Sequence, residues 1–369
     1  MTFNLLNCHI AHAQQADSVA MESARESGFI SMIQQIENSK DQEKRELILA
    51  TLNKYSPDGY LIVNSYLNSP TELKIGGYQI SFGEKTDILM YMSGKKLMEI
   101  IQDLTVVVHE FNHAYTHRFG FLCKAENVTD FNDDTYGSFF IEGGNSINMK
   151  YTQTFPSSKI RKIIPDNLHT FRFETYIYPS SENLGTQQSG IYGLLDELNA
   201  YRHTMRTAMD FIECYESEPQ QSPENWFGLI NLVNMNYYAY LEFKFFIFKY
   251  IRYAQSNEKQ IHQAIMENQN FWKALALIDA SFSSLINRFF EKKMDIYKQL
   301  EEQQIIVTDD DQFMNIRMGN RILSKGNFFD VYTLLSEELQ RPEYEPIHKL
   351  LALELQKNNI QSSSDQAEK

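Results

Sequence analysis

Cysteine is scarce in this chain: three residues, Cys8, Cys123 and Cys214, with no CxxC pair among 369. That excludes a structural zinc ribbon and a small disulfide-dense fold. Proline (9) and glycine (16) are few, which excludes collagen-like and low-complexity chains. Positive charge is short as well. The 34 Lys and Arg face 48 Asp and Glu, for a formal charge of −14. A nucleic-acid partner is therefore not expected, because neutralising phosphates takes clustered cations. Long uninterrupted apolar runs are also missing. The most apolar stretch, Trp226–Tyr253, contains Glu242, Lys244, Lys249 and Arg252 together with Asn231, Asn234 and Asn236, so it reads as a buried helix and not as a membrane span. Bulk is what the chain has in plenty: 21 Tyr, 25 Phe and 43% hydrophobic residues, enough for a sizeable core. At roughly 150 residues per domain, the length predicts two or three domains or subdomains.

The first basic residue is Arg25, so the N-terminal stretch lacks a basic leader, yet a short apolar segment runs into Ala11-His12-Ala13, a small-x-small pattern that suits cleavage. Residues 1–16 read as a truncated signal segment, which implies export to a periplasm or the exterior. If they are an ordinary N-terminus, the chain is cytoplasmic. In an oxidising compartment Cys123 and Cys214 could pair.

Residues 17–92 read as an N-terminal α/β part. Helix is predicted over 18–55, a turn at Ser56-Pro57-Asp58-Gly59, and strands at Tyr60–Val63 and Gly77–Phe82. A long helix is expected from Ser93, with Leu97, Ile100, Ile101, Leu104, Val108 and Phe111 as its buried stripe, stopping at Gly120 as a C′ residue. Beyond it the pattern predicts a strand at Ser138–Glu142, a Gly143-Gly144-Asn145 turn, an alternating strand at Phe171–Tyr178 and a helix from Ile191 to about Tyr215. The polar segment Ser217–Glu224 is the best boundary between a core over 93–216 and a helical C-terminal subdomain over 217–356. Within that subdomain two helices are expected over 327–356, separated by Arg341-Pro342, and 357–369 reads as a disordered tail.

The long helix carries His109-Glu110-Phe111-Asn112-His113, an HExxH motif. Helical geometry puts His109 and His113 one turn apart on one face, so both imidazoles can reach one metal ion. Glu110 is offset by about 100° and can act on a water without being a ligand. From the composition the motif arises by accident roughly 0.02 times per chain. His117 sits about 12 Å along the axis from His109, too far to share one zinc ion through the same face.

With this motif the chain resembles the zincin superfamily of zinc metallopeptidases. The resemblance covers the helix Ser93–Arg118 and extends to the helix near 191–203. It implies an α+β zincin-like core, a small mixed sheet plus the active-site helix, ahead of the helical C-terminal subdomain. It also implies one Zn²⁺ per chain and a peptide or protein substrate. The metzincin extension would need Gly at 116 and His at 119, where this chain has Thr116 and Phe119. The gluzincin pattern, with a glutamate from a later helix, fits better. Glu197, in Asp196-Glu197-Leu198-Asn199-Ala200-Tyr201, is the leading third ligand, with Glu142 and Asp133 as alternatives.

The implied function is zinc-dependent peptide-bond hydrolysis. Zinc lowers the pKa of a water to about 7, and Glu110 takes the proton and hands it to the leaving amine. Tyr201 and His203 are the candidate oxyanion donors, ahead of Tyr192. Asp196 or Asn199 could orient a ligand imidazole. The edge strand Tyr78–Phe82, or the stretch Asp87–Met92, is the expected substrate edge. The competing readings are a non-catalytic binding protein of zincin shape, a zinc hydrolase of a non-peptide substrate, and a helical scaffold with an accidental motif.

Overall fold

The structure, a computed structural model, describes residues 28–128, 132–179, 181–219 and 221–367. The expected signal segment, with Cys8, lies outside the described residues. The described chain is α+β and mainly helical.

Three helices open it: α1 (Phe29–Asn38), α2 (Asp41–Tyr55) and α3 (Pro57–Asn68). The predicted strand Tyr60–Val63 is part of α3. Pro57 occupies a first-turn position that tolerates its missing N–H, and Gly59, Ile62, Val63 and Tyr66 are buried at helical spacing. The hairpin β1 (Glu72–Ile75) and β2 (Tyr78–Ser81) follows, then a 3₁₀ turn at Ile88–Tyr91. Asp87 caps that turn by accepting from the Leu89 N–H at 3.1 Å.

Helix α4 (Leu97–Asn127) carries the HExxH motif and does not stop at Gly120. A Cβ at position 120 would lie 2.2 Å from the Tyr136 carbonyl oxygen, so this glycine lets a strand backbone press against the helix. The strand is β3 (Tyr136–Phe140), which pairs antiparallel with β4 (Ser146–Lys150) across the expected Gly-Gly-Asn turn. The predicted strand Phe171–Tyr178 is instead a helical turn, α5 (Phe173–Tyr176), with Arg172, Phe173 and Ile177 buried at helical spacing. A second short helix, α6 (Gly185–Gln188), leads into α7 (Ile191–Glu216).

The rest is α8 (Pro223–Asn257), α9 (Lys259–Glu267), α10 (Gln269–Glu302), the antiparallel meander β5 (Ile306–Asp309), β6 (Phe313–Met318) and β7 (Arg321–Gly326), then α11 (Phe329–Leu339) and α12 (Glu345–Ala367). Helix α12 continues into the stretch predicted as a tail as far as Ala367, and residues 368–369 lie outside the described residues. The expected mixed sheet is not seen among the described residues, where all three sheets are antiparallel and separate. No described helix is long and apolar enough to cross a membrane.

Helix α7 packs against α4, α8 and α10. It buries residues on nearly every side, polar ones such as Asp196, Asn199, Arg202 and His203 among them. One hydrophobic core, from Phe29 to Leu351, includes residues on both sides of the 217–224 segment.

Candidate metal centre

The centre lies where α4 meets α7. Each helix presents one face. From α4 come His109 and His113, with ring centroids 4.9 Å apart at 82°. From α7 come Asp196, Glu197, Tyr201 and Thr204. Residues 197, 201 and 204 fall on one face because they are four and seven positions apart.

The hydrogen bonds fix which ring nitrogens carry protons. Thr204 Oγ1 donates to the Ala200 carbonyl at 2.9 Å, so it accepts from His109 Nδ1 at 3.2 Å. Asp196 Oδ2, a carboxylate oxygen, accepts from His113 Nδ1 at 2.6 Å. With both Nδ1 atoms protonated, the rings when neutral would turn Nε2 lone pairs toward one point; the two Nε2 atoms are 3.2 Å apart. Glu197 Oε2 lies 3.7 Å from His109 Nε2 and 3.6 Å from His113 Nε2. That oxygen is buried without a hydrogen-bond donor.

Three acceptor atoms converging on one point could hold a cation between them. Four ligands 2.0–2.1 Å from a tetrahedral zinc ion are roughly 3.3–3.4 Å apart, close to these separations. The same three residues form the one group of metal-ligating side chains found among the described residues.

Burial lowers the His113 pKa, but Asp196 and Glu197 outweigh it and hold the ring well above its ordinary value. A proton there is the alternative to a metal. Burial and the neighbouring His113 hold His109 well below its ordinary value. For Asp196, burial is outweighed mainly by His113, and its carboxylate stays ionised below the ordinary range. Glu110 is half-buried beside the group. Burial raises its pKa, His113 opposes, and Glu197 adds to the rise.

Other expected residues lie elsewhere. His203 is rotated about 120° around α7 from the Glu197 face. It is 1% exposed and packs on Phe140, with its Nε2 3.0 Å from the Phe140 carbonyl oxygen. Asn199 donates to the same carbonyl at 3.0 Å and orients no ligand imidazole. The Tyr192 hydroxyl meets Thr152 Oγ1 and Asn268. Glu142 and Asp133 are exposed outside the group, as is His117 one turn further along α4. Cys123 and Cys214 are both free. Burial pushes the Cys214 thiol up to about 12.

Tyr201 is at the centre, its ring meeting His109 edge-on at 4.6 Å. Three further neighbours were not anticipated. Thr204 could have been found from its seven-residue spacing to Glu197. Arg172 and Tyr91 carry no local signal, since only the tertiary fold brings them beside Tyr201 and Glu110.

Comparison with family models, with curated proteins and with solved structures finds no match.

Proposed function

We propose that this chain is a zinc-dependent hydrolase of peptide bonds, built on a gluzincin-like arrangement of two ligand helices. The observation that carries the reading is the convergence of His109 Nε2, His113 Nε2 and the buried Glu197 Oε2, three acceptors on half-buried side chains with no proton donor among them when the rings are neutral. Two nitrogens and a carboxylate oxygen are the donor set of catalytic zinc sites, which keep a fourth position open. When bound there, zinc would supply Lewis acidity, polarising a carbonyl and acidifying water.

The remaining chemistry belongs to the chain. Glu110 follows His109 directly and does not join the ligand group. Its raised pKa suits a carboxylate that accepts a proton from water and returns it to a leaving amine. Thr204 and Asp196 keep the lone pairs of both histidines aimed inward. The Tyr201 hydroxyl is the donor available to a developing oxyanion, and His203, turned into the core, is not.

The test is metal analysis together with a peptide-library digest. Purified protein should hold one zinc ion per chain and cleave peptides. Glu110→Gln should keep the zinc and lose roughly 10²–10⁴-fold in cleavage rate. Parental cleavage by a zinc-replete Glu110→Gln protein would overturn the reading. Bound zinc without cleavage of any peptide would instead favour a non-peptide substrate or a binding role.

A further inference from the structure

Nothing in an HExxH pattern calls for Arg172, yet it forms a wall of the centre. Its guanidinium carbon lies 4.5 Å from the centroid of the Tyr201 ring. Three bonds hold it. Its backbone N–H donates to Glu242 Oε1 at 2.8 Å, Nη1 donates to Glu242 Oε2 at 2.6 Å, and Nη2 donates to the Met235 carbonyl at 3.2 Å. Glu242 is 0% exposed and Arg172 is 5% exposed. The carboxylate comes from α8, 70 residues away in sequence, and Tyr332 of α11 also interacts with it.

A pair this deep adds little stability over well-packed apolar side chains, which directs attention to what it holds. Tyr201 is clamped on several sides: Arg172 over its face, Phe243 stacked at 5.4 Å and 28°, and His109 at its edge. The Tyr176 hydroxyl interacts with that of Tyr201. Its charge is matched by Glu242, while its Nε is buried without a hydrogen-bond partner.

We infer that the Arg172–Glu242 pair is a positioning device for the Tyr201 hydroxyl, holding it where an oxyanion forms, so that the C-terminal helices complete the active site. Arg172 and Glu242 act through Tyr201 and are positioning residues. The inference rests on the hydrolase reading above, and its test separates the two.

Zinc-loaded parent protein is compared with Tyr201→Phe, with the paired change Arg172→Met/Glu242→Leu, and with all three changes together. The probes are a peptide substrate and a phosphinic peptide, whose tetrahedral phosphorus mimics the attacked carbonyl. Tyr201→Phe and the paired change should each lower kcat roughly 10²-fold with KM little changed. Phosphinic-peptide affinity should fall in parallel while zinc content stays constant. The triple variant should be no worse than either, because the pair acts through the hydroxyl that Tyr201→Phe has removed. If the paired variant does not fold, Arg172→Lys replaces it in the same comparison.

Losses that multiply in the triple variant overturn the inference. So does zinc loss in the paired variant, or a phosphinic peptide that binds Tyr201→Phe as tightly as the parent. If the parent cleaves no peptide but phosphinic-peptide affinity falls as stated, the peptidase reading fails and the positioning role stands.

Discussion

Thr204 and Asp196 decide how the two histidines present themselves. Thr204→Val keeps the shape of the side chain and removes the acceptor for His109 Nδ1, and should weaken zinc about 10–100-fold in a chelator-competition titration. Glu197→Ala, which removes the proposed carboxylate ligand, should cost more. Asp210 makes a separate prediction. Burial, opposed by Arg206 and Ser56, pushes its carboxyl up to about 6. In the folded chain it therefore keeps a proton that the unfolded chain releases near pH 4. Its favourable contribution is complete below that pH and is lost as pH rises through about 6. Asp210→Asn should flatten the fall in melting temperature across that window. At this scale the sequence was informative where geometry is local. His109, Glu110 and His113 lie within one helical turn, and Asp196 and Glu197 share a turn of the next ligand helix. His203 misled because proximity in sequence to Glu197 is not proximity in angle around α7.

Gly120 shows what an element gains from a missing side chain. It permits β3 to rest directly on α4, and the atom facing it is a backbone oxygen that cannot rotate away. Gly120→Ala should destabilise the protein by about 2 kcal/mol or more, read as a lower denaturant midpoint. The long helices α4, α7 and α8 were legible because periodicity accumulates over many turns. Short apolar runs were not: Tyr60–Val63 looked like a strand until Gly59 and Tyr66 supplied the helical spacing. At 171–178, Arg172 is anchored by a carboxylate from a distant helix, which no local pattern records. The meander β5–β7 has one local signal, the two-residue hairpin turn Gly319-Asn320 with Gly319 at φ 58°, and its short strands carry little periodicity.

At the scale of the whole molecule, α7 is the common wall of everything around it. One face serves the centre, and its other sides are covered by α8 and α10. A chain ending at residue 219 would expose those sides, so it should lose its cooperative thermal transition and bind zinc no better than an isolated pair of histidines. Zinc should stabilise the full chain by mass action, by about 4 kcal/mol at a thousand times the dissociation constant, seen as a concentration-dependent rise in melting temperature. The joint between α4 and α7 also sets a sequence of events in time. His109 and His113 are neighbours as soon as α4 forms, but Glu197 is 84 residues beyond His113 and arrives only when α7 docks. On the proposed site, a metal would thus be fully gripped only late in folding. Zinc should leave the refolding rate nearly unchanged and slow unfolding, acting as a latch on a finished structure and not as a seed for it.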